Sequence, residues 1–540
     1  MKPGEDATVR LSAAMNRVVF YVLTVALLVP LWAFKYFPSQ DGPLHQYNAV
    51  VLRDYDRPDR PAFREYFVPN PALVPNWLCP HILPVLAQWF SAAVAEKLVL
   101  SAYLILLPIG ARYALSAIRP RGGLLALAIL PMVPNQFYHF GFHDFCVGMA
   151  GYFFVAGYFL KHRRRFAAKN AIVLAIMLLV LYLTHLVAVV MVLPLIGLTT
   201  LALYWTGRDA VAVKLRRTLP VAAALAPVVL WAAYFALRPH PGSDLPPYPG
   251  GWHHRFFLIP LWLKSYQYYE AIAGVAMFIL FFAASFWLVR RVPDRALLLG
   301  LPGALLATVV FYILIFLVAP GSFAGAQVLL IRVVAFVFFA SLLWWASLPI
   351  SSRAFARLEW AVAVVSIPVA LGLLVSHVLS YRELNSYLNA FEAVAPIIPT
   401  GSTVCPIHYN DPVSHSPPTN GESGQHPLST GIDPFRHAGS IGLAQKGIID
   451  LGNTWATTDH QSLRWQPGLD PMSVRLDRLD DFVGYARRTG KPVDYVLIWT
   501  GGIIHDDAQA RFIDRQLASS YRLIYTSPTP EYLKLYRRIE

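Results

Sequence analysis

Charge is what this sequence has least of. Charged residues make up 14% of its 540 positions, against roughly 25% in an average globular chain. So few cannot clothe several solvated domains, and a water-soluble protein of this length is excluded. Cysteine is nearly missing, with 3 in all, which excludes a disulfide scaffold. The chain also lacks a GxxxxGKS/T loop and the GxGxxG, GxSxG, HExxH and CxxC patterns. Nucleotide-driven transport, dinucleotide redox chemistry and the common hydrolase layouts therefore have no support. What is plentiful is apolar: 56% of residues are hydrophobic and 14% aromatic. Long apolar runs recur from Val18 to Ser380, which excludes disorder and predicts a polytopic α-helical membrane protein.

A net charge of +14 would suggest nucleic acid if it were evenly spread, but it is not. From Tyr381 onward there are 15 Lys+Arg and 17 Asp+Glu, leaving 30 basic and 14 acidic residues before it. The basic excess belongs to the membrane part, where it reads as an orientation signal, and no nucleic-acid partner is expected. Apolar runs place eleven spans near 18–37, 98–118, 122–139, 142–160, 168–185, 186–206, 219–237, 270–289, 298–318, 327–347 and 359–380. With Lys2, Arg10 and Arg17 inside, alternate loops carry the Arg119, Lys161 to Lys169, Arg208 to Arg217, Arg290 to Arg295 and Arg353 groups. The N-terminus is thus expected in the cytoplasm and the C-terminal region outside a bacterial inner membrane. The first span has no cleavage pattern and reads as a retained anchor.

Two parts follow. Residues 1–380 form a transmembrane domain whose first external loop, 38–97, holds interfacial helices, the stretch 80–95 among them. Residues 381–540 form an external α/β domain. Its expected strands are 403–407 and 493–499, with a hairpin from 521–526 and 531–539; its expected helices are 475–489 and 508–519. Tyr409 to Arg436 reads as an irregular loop. Three thiols allow at most one bridge; Cys79 to Cys405 is one possibility and buried, unpaired thiols the other.

With charge so scarce, each ionisable residue near an outer span end is a candidate. Asp41 follows the first span directly, with His45 and Asn48 four and seven residues on, on one face of a helix that starts there. Asp41 is either a cap for that helix, whose first turn holds Gly42 and Pro43, or a ligand-facing acid. Asp144, beside His143, is the only acid between spans two and six, and it too can cap a span or serve chemistry. His139, His143 and Asp144 have ligand chemistry but no metal-site spacing, so no metal is expected. Arg332 lies inside an apolar span and needs an anion; an acid such as Glu270 can supply it, or the side chain can snorkel to the surface. His185, Arg255 and Lys264 are further cations available to an electropositive pocket. The alternating charges from Arg53 to Glu65 read as a salt-bridged interfacial segment, and Trp262, Tyr266, Tyr268 and Tyr269 as an aromatic belt.

In layout the chain resembles the GT-C superfamily of membrane glycosyltransferases, the branch with protein O-mannosyltransferases and lipid A aminoarabinose transferases. The segments DGPLHQYNA (41–49), AEKLVL (95–100) and GFHDFCVG (141–148) are similar to a bacterial group of such proteins. The resemblance implies a lipid-linked donor, a polyprenyl-phosphate sugar, with no soluble cofactor, and an acceptor hydroxyl on a glycan, lipid or protein. It implies that Asp41 is a general base, that Asp144 is the acid of the next external loop, and that Arg332 grips the lipid phosphate, helped by His185 or Lys264. At the start of the first loop, directly after the first span, stands a single acid, Asp41, where many relatives carry an acidic pair. A non-catalytic scaffold and a lipid-linked saccharide transporter are the alternatives; the latter predicts repeat halves, and none is visible.

Overall fold

The computed structural model describes residues 17–120, 123–206, 210–238, 252–320, 328–408, 429, 431–458, 461–471, 479, 481–500, 508–528 and 531–539. The segment before Arg17, the expected start of a helix at Arg475 and most of the expected loop from Tyr409 to Arg436 lie outside them.

Along the chain run α1 (Arg17–Ala33), α2 (Gly42–Arg53), α3 (Pro61–Tyr66), α4 (Leu78–Leu86), α5 (Ala92–Ile118), α6 (Gln136–Phe140), α7 (His143–His162), α8 (Ala168–Thr184) and α9 (Leu186–Thr206). Then come α10 (Val211–Leu237), α11 (Trp252–Leu261), α12 (Glu270–Val289), α13 (Asp294–Leu298), α14 (Gly300–Val318), α15 (Leu329–Ser347) and α16 (Ser352–Glu392). Among the described residues seven of these, α5, α9, α10, α12, α14, α15 and α16, are long and apolar enough to cross a membrane, and α1 and α8 are shorter apolar helices. Their outward faces carry Val22, Ile172, Leu230, Ile279, Phe282, Leu314 and Trp360, all exposed. Such a surface belongs in lipid, and the protein is a multi-pass membrane protein. α15 is enclosed almost wholly by other helices, while α10 leaves most of its surface outward.

Ten of the eleven expected spans coincide with helices. The exception is 122–139, which is not α-helical: Gly123–Met132 is a 3-10 stretch, followed by the single-turn α6. Pro131 and Pro134 end the stretch, since neither has an N–H to continue a helix. A 3-10 helix rises about 2.0 Å per residue, so ten residues cover about 20 Å where an α-helix would cover about 15 Å. Non-α backbone at this depth needs shielding from lipid, and Leu125 to Leu130 are fully buried. The stretch 80–95 is not one helix either. α4 stops at Leu86, and α5 starts at Ala92 with Ser91 accepting from Val94 N. Span two thus begins before residue 98, with Glu96 and Lys97 inside it.

α16 has 41 residues, about 60 Å at 1.5 Å per residue. Positions 380 and 381 fall within it, and its last turns reach the C-terminal sheet. There β2 (Thr403–His408) lies parallel to β3 (Ile449–Asp450) and to β5 (Tyr495–Trp499). The hairpin of β6 (Tyr521–Thr526) and β7 (Leu533–Arg538) completes the order β3-β2-β5-β7-β6. β5 is central and buried along its whole length, which is why its sequence is an unbroken apolar run. α17 (Phe482–Thr489) and α18 (Ala508–Ser520) accompany the sheet. A second, two-stranded sheet pairs β1 (Phe67–Pro69) of the first loop with β4 (Leu463–Trp465). The apolar core continues from Phe20 in α1 through the bundle to Leu535 in β7. Cys79, Cys146 and Cys405 are separate buried thiols.

Candidate active site

Asp41 occupies the cap position of α2, but its side chain makes no capping bond. Ser39 does that work, its Oγ accepting from Gly42 N at 3.1 Å. Gln40 N and Asp41 N donate to the carbonyls of His139 and Phe140, each at 3.0 Å, which lays the loop against α6. Gly141 ends α6 at φ +82°, and a Cβ there would stand 3.0 Å from Gly42 N. Only glycine meets both demands. Asp41 is left 6% exposed, with Gln40 Nε2 donating to Oδ1 at 3.3 Å and His437 Nε2 3.7 Å from the same oxygen. Burial pushes its carboxyl up to about 6; the positive charge of Arg436, the Gln40 hydrogen bond and the charge of Arg332 oppose that rise.

Arg332 is buried on α15, at the same end of the bundle. Its Nη1 donates to His185 Nε2 at 2.8 Å, and the guanidinium lies over the rings of Phe142 and Phe145, 4.5 and 4.8 Å from their centroids. His185 sits in extended backbone between α8 and α9. An arginine only donates, so Nε2 of His185 carries no proton and the ring is a spacer, not a second cation. Glu270 is not the partner of Arg332. Its carboxylate accepts from Ser265 N, Tyr266 N and Ser376 Oγ at 2.7, 2.9 and 2.7 Å.

Asp144 is committed elsewhere. Its Oδ1 accepts from Cys79 N at 2.9 Å, holding the N-terminus of α4, where a carboxylate suits the helix dipole. His143, next to it, faces Glu96 of α5, with Nε2 to Oε1 at 3.1 Å, off the hydrogen-bond direction. Its ring stacks on His45 at 4.0 Å. His45 Nε2 bonds to Gly141 O at 2.9 Å, and its other neighbour is Trp455 at 4.4 Å. Burial, and then the His143 charge, hold His45 well below its usual pKa. Asn48 Oδ1 accepts from Asn453 Nδ2 at 2.7 Å. Glu96 lies under α2, accepting from Gln46 Nε2 at 2.7 Å. It approaches so closely that a Cβ on Gly42 would fall 2.3 Å from its Oε1.

The other expected cations stand apart. Arg255 donates to the carbonyls of Phe316 and Ala319, both at 2.9 Å, closing the C-terminus of α14. Lys264 lies over the Tyr268 ring, 4.4 Å from its centroid. The expected aromatic belt divides: Tyr268 and Tyr269 are exposed, while Trp262 and Tyr266 are fully buried. Around Tyr266 the Glu270 bonds join a network in which His139 meets Ser265 Oγ and Tyr381 Oη at 2.7 Å each. Replacing Glu270 by Ala strands two buried N–H groups and is expected to destabilise the fold by about 3 kcal/mol, read as lowered resistance to thermal unfolding in detergent. An unchanged transition would remove the network from the account of stability.

Residues outside the sequence-derived set complete the site. Asp433 N donates to Gln40 Oε1 at 3.3 Å, and Asp433 Oδ2 is 3.3 Å from His408 Nδ1. Arg436 and His437 follow in the same segment. His408 is the last residue of β2, and the carboxyl end of parallel strands is where such sheets bind ligands; that signal was readable in the sequence. For Glu96 the signal was a charged pair, Glu96-Lys97, at the head of an apolar helix. Arg436 and His437 sit in no recognisable pattern. Among the described residues no cluster of three or more His, Cys, Asp or Glu side chains is arranged to hold a metal ion.

The fold and this cluster define a class: a multi-pass membrane protein whose C-terminal α/β domain meets a buried acid and a buried arginine at one end of the helical bundle. Among solved structures the chain is similar to ArnT from Cupriavidus metallidurans in the apo state, with 13% identity, 98% of each chain covered and a TM-score of 0.49. So distant a likeness carries no chemistry over to this protein. No family model and no curated protein matches the chain.

Proposed function

We propose that the protein is an integral-membrane glycosyltransferase that moves a sugar from a polyprenyl-phosphate donor to an acceptor hydroxyl at the outer face of a bacterial inner membrane. The observation that carries this reading is Asp41: a buried carboxylate not used as a cap, with a carboxyl pushed up to about 6, in electrostatic reach of Arg332. Asp41 takes the proton of the acceptor hydroxyl as its oxygen attacks the anomeric carbon with inversion. The bond from that carbon to the phosphate oxygen breaks, and the electron pair leaves on the lipid phosphate, whose growing charge Arg332 stabilises. Asp144 acts one step removed, by fixing α4. The alternation of basic loops supports an inside N-terminus, and with it an outer location for this end of the bundle.

The test is transfer by the purified full chain in lipid vesicles. A panel of radiolabelled polyprenyl-phosphate sugars is supplied with an envelope extract as acceptor, and release of polyprenyl phosphate is followed with pH. A base is active when ionised, so the rate should climb through about pH 6, as Asp41 loses its proton, and level off above it. Absence of transfer from every donor, or a rate that falls over that interval, would sink the reading.

A further inference from the structure

Gln40 and Asp433 are 393 positions apart in the chain, yet their hydrogen bond is buried. It fixes more than a contact. Because Asp433 N–H needs an acceptor, it sets Oε1 of the Gln40 amide toward the C-terminal domain and leaves Nε2 as a donor toward Asp41 Oδ1, at 3.3 Å. The same oxygen has His437 Nε2 on its other side at 3.7 Å. The contact of His408 with Asp433 at 3.3 Å ties this segment to the end of β2, and the bond from Gln136 Nε2 to Gly431 O at 3.0 Å seats it on the helical end. Three of the groups governing the acid, Arg436, His437 and the bridged Gln40, thus depend on the C-terminal domain being in place.

We propose that His437, 3.7 Å from Asp41 Oδ1, and its chain neighbour Arg436 are positioning residues for Asp41: docking of their segment through the Gln40–Asp433 bond aims the carboxylate and favours its charged form, so the C-terminal domain tunes the base. The role of Asp41 in transfer rests on the function proposed above, but its ionisation does not. Burial works against the charged acid, and the Arg436 charge is the largest influence opposing it, ahead of the Gln40 hydrogen bond and the Arg332 charge. His437 itself is held well below its usual pKa by burial and by Arg436, His408 and His45. It therefore meets Asp41 as a neutral ring able to donate a hydrogen bond, not as a cation. Among the described residues the groups facing the acid are Arg332 from α15, Gln40 from its own loop, and Arg436 and His437 from the C-terminal domain; His45 and His408 face His437 in turn.

The proposal is testable without substrate. A hydrophobic carbodiimide reacts with buried carboxyl groups only when they are protonated. The full chain in detergent micelles is labelled across a pH series, and the peptide containing Asp41 is quantified by mass spectrometry. Labelling of the unaltered protein should halve near pH 6. Arg436→Gln should move that midpoint upward by about one pH unit, about a fivefold gain in the protonated fraction at pH 7, and Arg436→Lys should bring most of it back. His437→Gln should move it the same way by less. A purely structural role predicts no movement, and an unchanged midpoint in Arg436→Gln overturns the proposal. If that variant does not fold, His437→Gln decides, and an unmoved midpoint there overturns it equally. Shifted labelling with no sugar transfer by the unaltered protein would support this inference and refute the proposed function.

Discussion

Asp41→Asn is expected to abolish sugar transfer, by about 10²- to 10⁴-fold, while the fold stays intact or becomes more stable. The asparagine keeps the shape and can still accept from Gln40 Nε2, but it cannot take a proton. No capping bond is lost, because Ser39 supplies the cap. The stability effect has a definite sign. An acid whose pKa is about 6 when folded and 3.8 as a reference destabilises the fold when it ionises; the cost is absent below about pH 4 and complete above about pH 6. Two units correspond to about 3 kcal/mol at most. The variant should therefore unfold at a higher temperature than the unaltered protein at pH 7 and at the same temperature at pH 4. Transfer at the unaltered rate would remove Asp41 as the base. Equal unfolding temperatures at both pH values would show that its charge costs the fold nothing.

The helical architecture was legible in the sequence because lipid imposes one rule: apolar stretches of about 20 residues that satisfy their own backbone. That rule fails where protein, not lipid, surrounds the chain. Gly123 to Met132 is as apolar as any span, so its hydropathy is silent about the 3-10 path it takes, packed against α5 and α16 and ended by Pro131 and Pro134. The start of α5 was missed for the converse reason: Glu96 and Lys97 look like a loop, yet each has a partner that makes burial tolerable. Glu96 accepts from Gln46, and the Lys97 ammonium donates to Phe34 O, at the end of α1.

The candidate site was half legible, and the halves differ in kind. Asp41 and Arg332 stand out because ionisable side chains at span ends are costly, so scarcity marks them. Asp144 carries the same mark, but its hydrogen bond to Cys79 N explains it as an anchor. Local pattern cannot separate a carboxylate that holds a helix from one that faces a ligand. Gln40, Arg436 and His437 were invisible for another reason. Charge is ordinary in the C-terminal domain, and their meeting with Asp41 depends on long-range docking through Gln40, Tyr47 and Asn48. Tyr47 reaches Ile448 O at 3.1 Å, a contact across the whole length of the bundle sequence that no periodicity announces.

Arg332→Gln is the second large effect to expect, and it should divide differently from that of Asp41. The arginine lies over the rings of Phe142 and Phe145 and is tethered by His185, so its position is set before any ligand arrives. Preorganised charge of this kind acts most strongly where charge develops, here on the departing phosphate. The expected loss is about 10²- to 10³-fold in kcat, accompanied by weaker binding of polyprenyl phosphate, since the product keeps the charge that the transition state acquires. Asp41→Asn, by contrast, should bind that product at least as tightly as the unaltered protein, because a repelling carboxylate is gone. Arg332→Lys tests whether charge alone suffices. A lysine ammonium is a point charge without the planar fork that donates in two directions at fixed angles, so it should recover at most about a tenth of the lost rate. Binding of polyprenyl phosphate in nanodiscs, followed by native mass spectrometry alongside the transfer assay, separates the two variants. If Arg332→Gln binds the lipid phosphate as the unaltered protein does and loses no rate, Arg332 is a packing residue and the leaving group is held elsewhere.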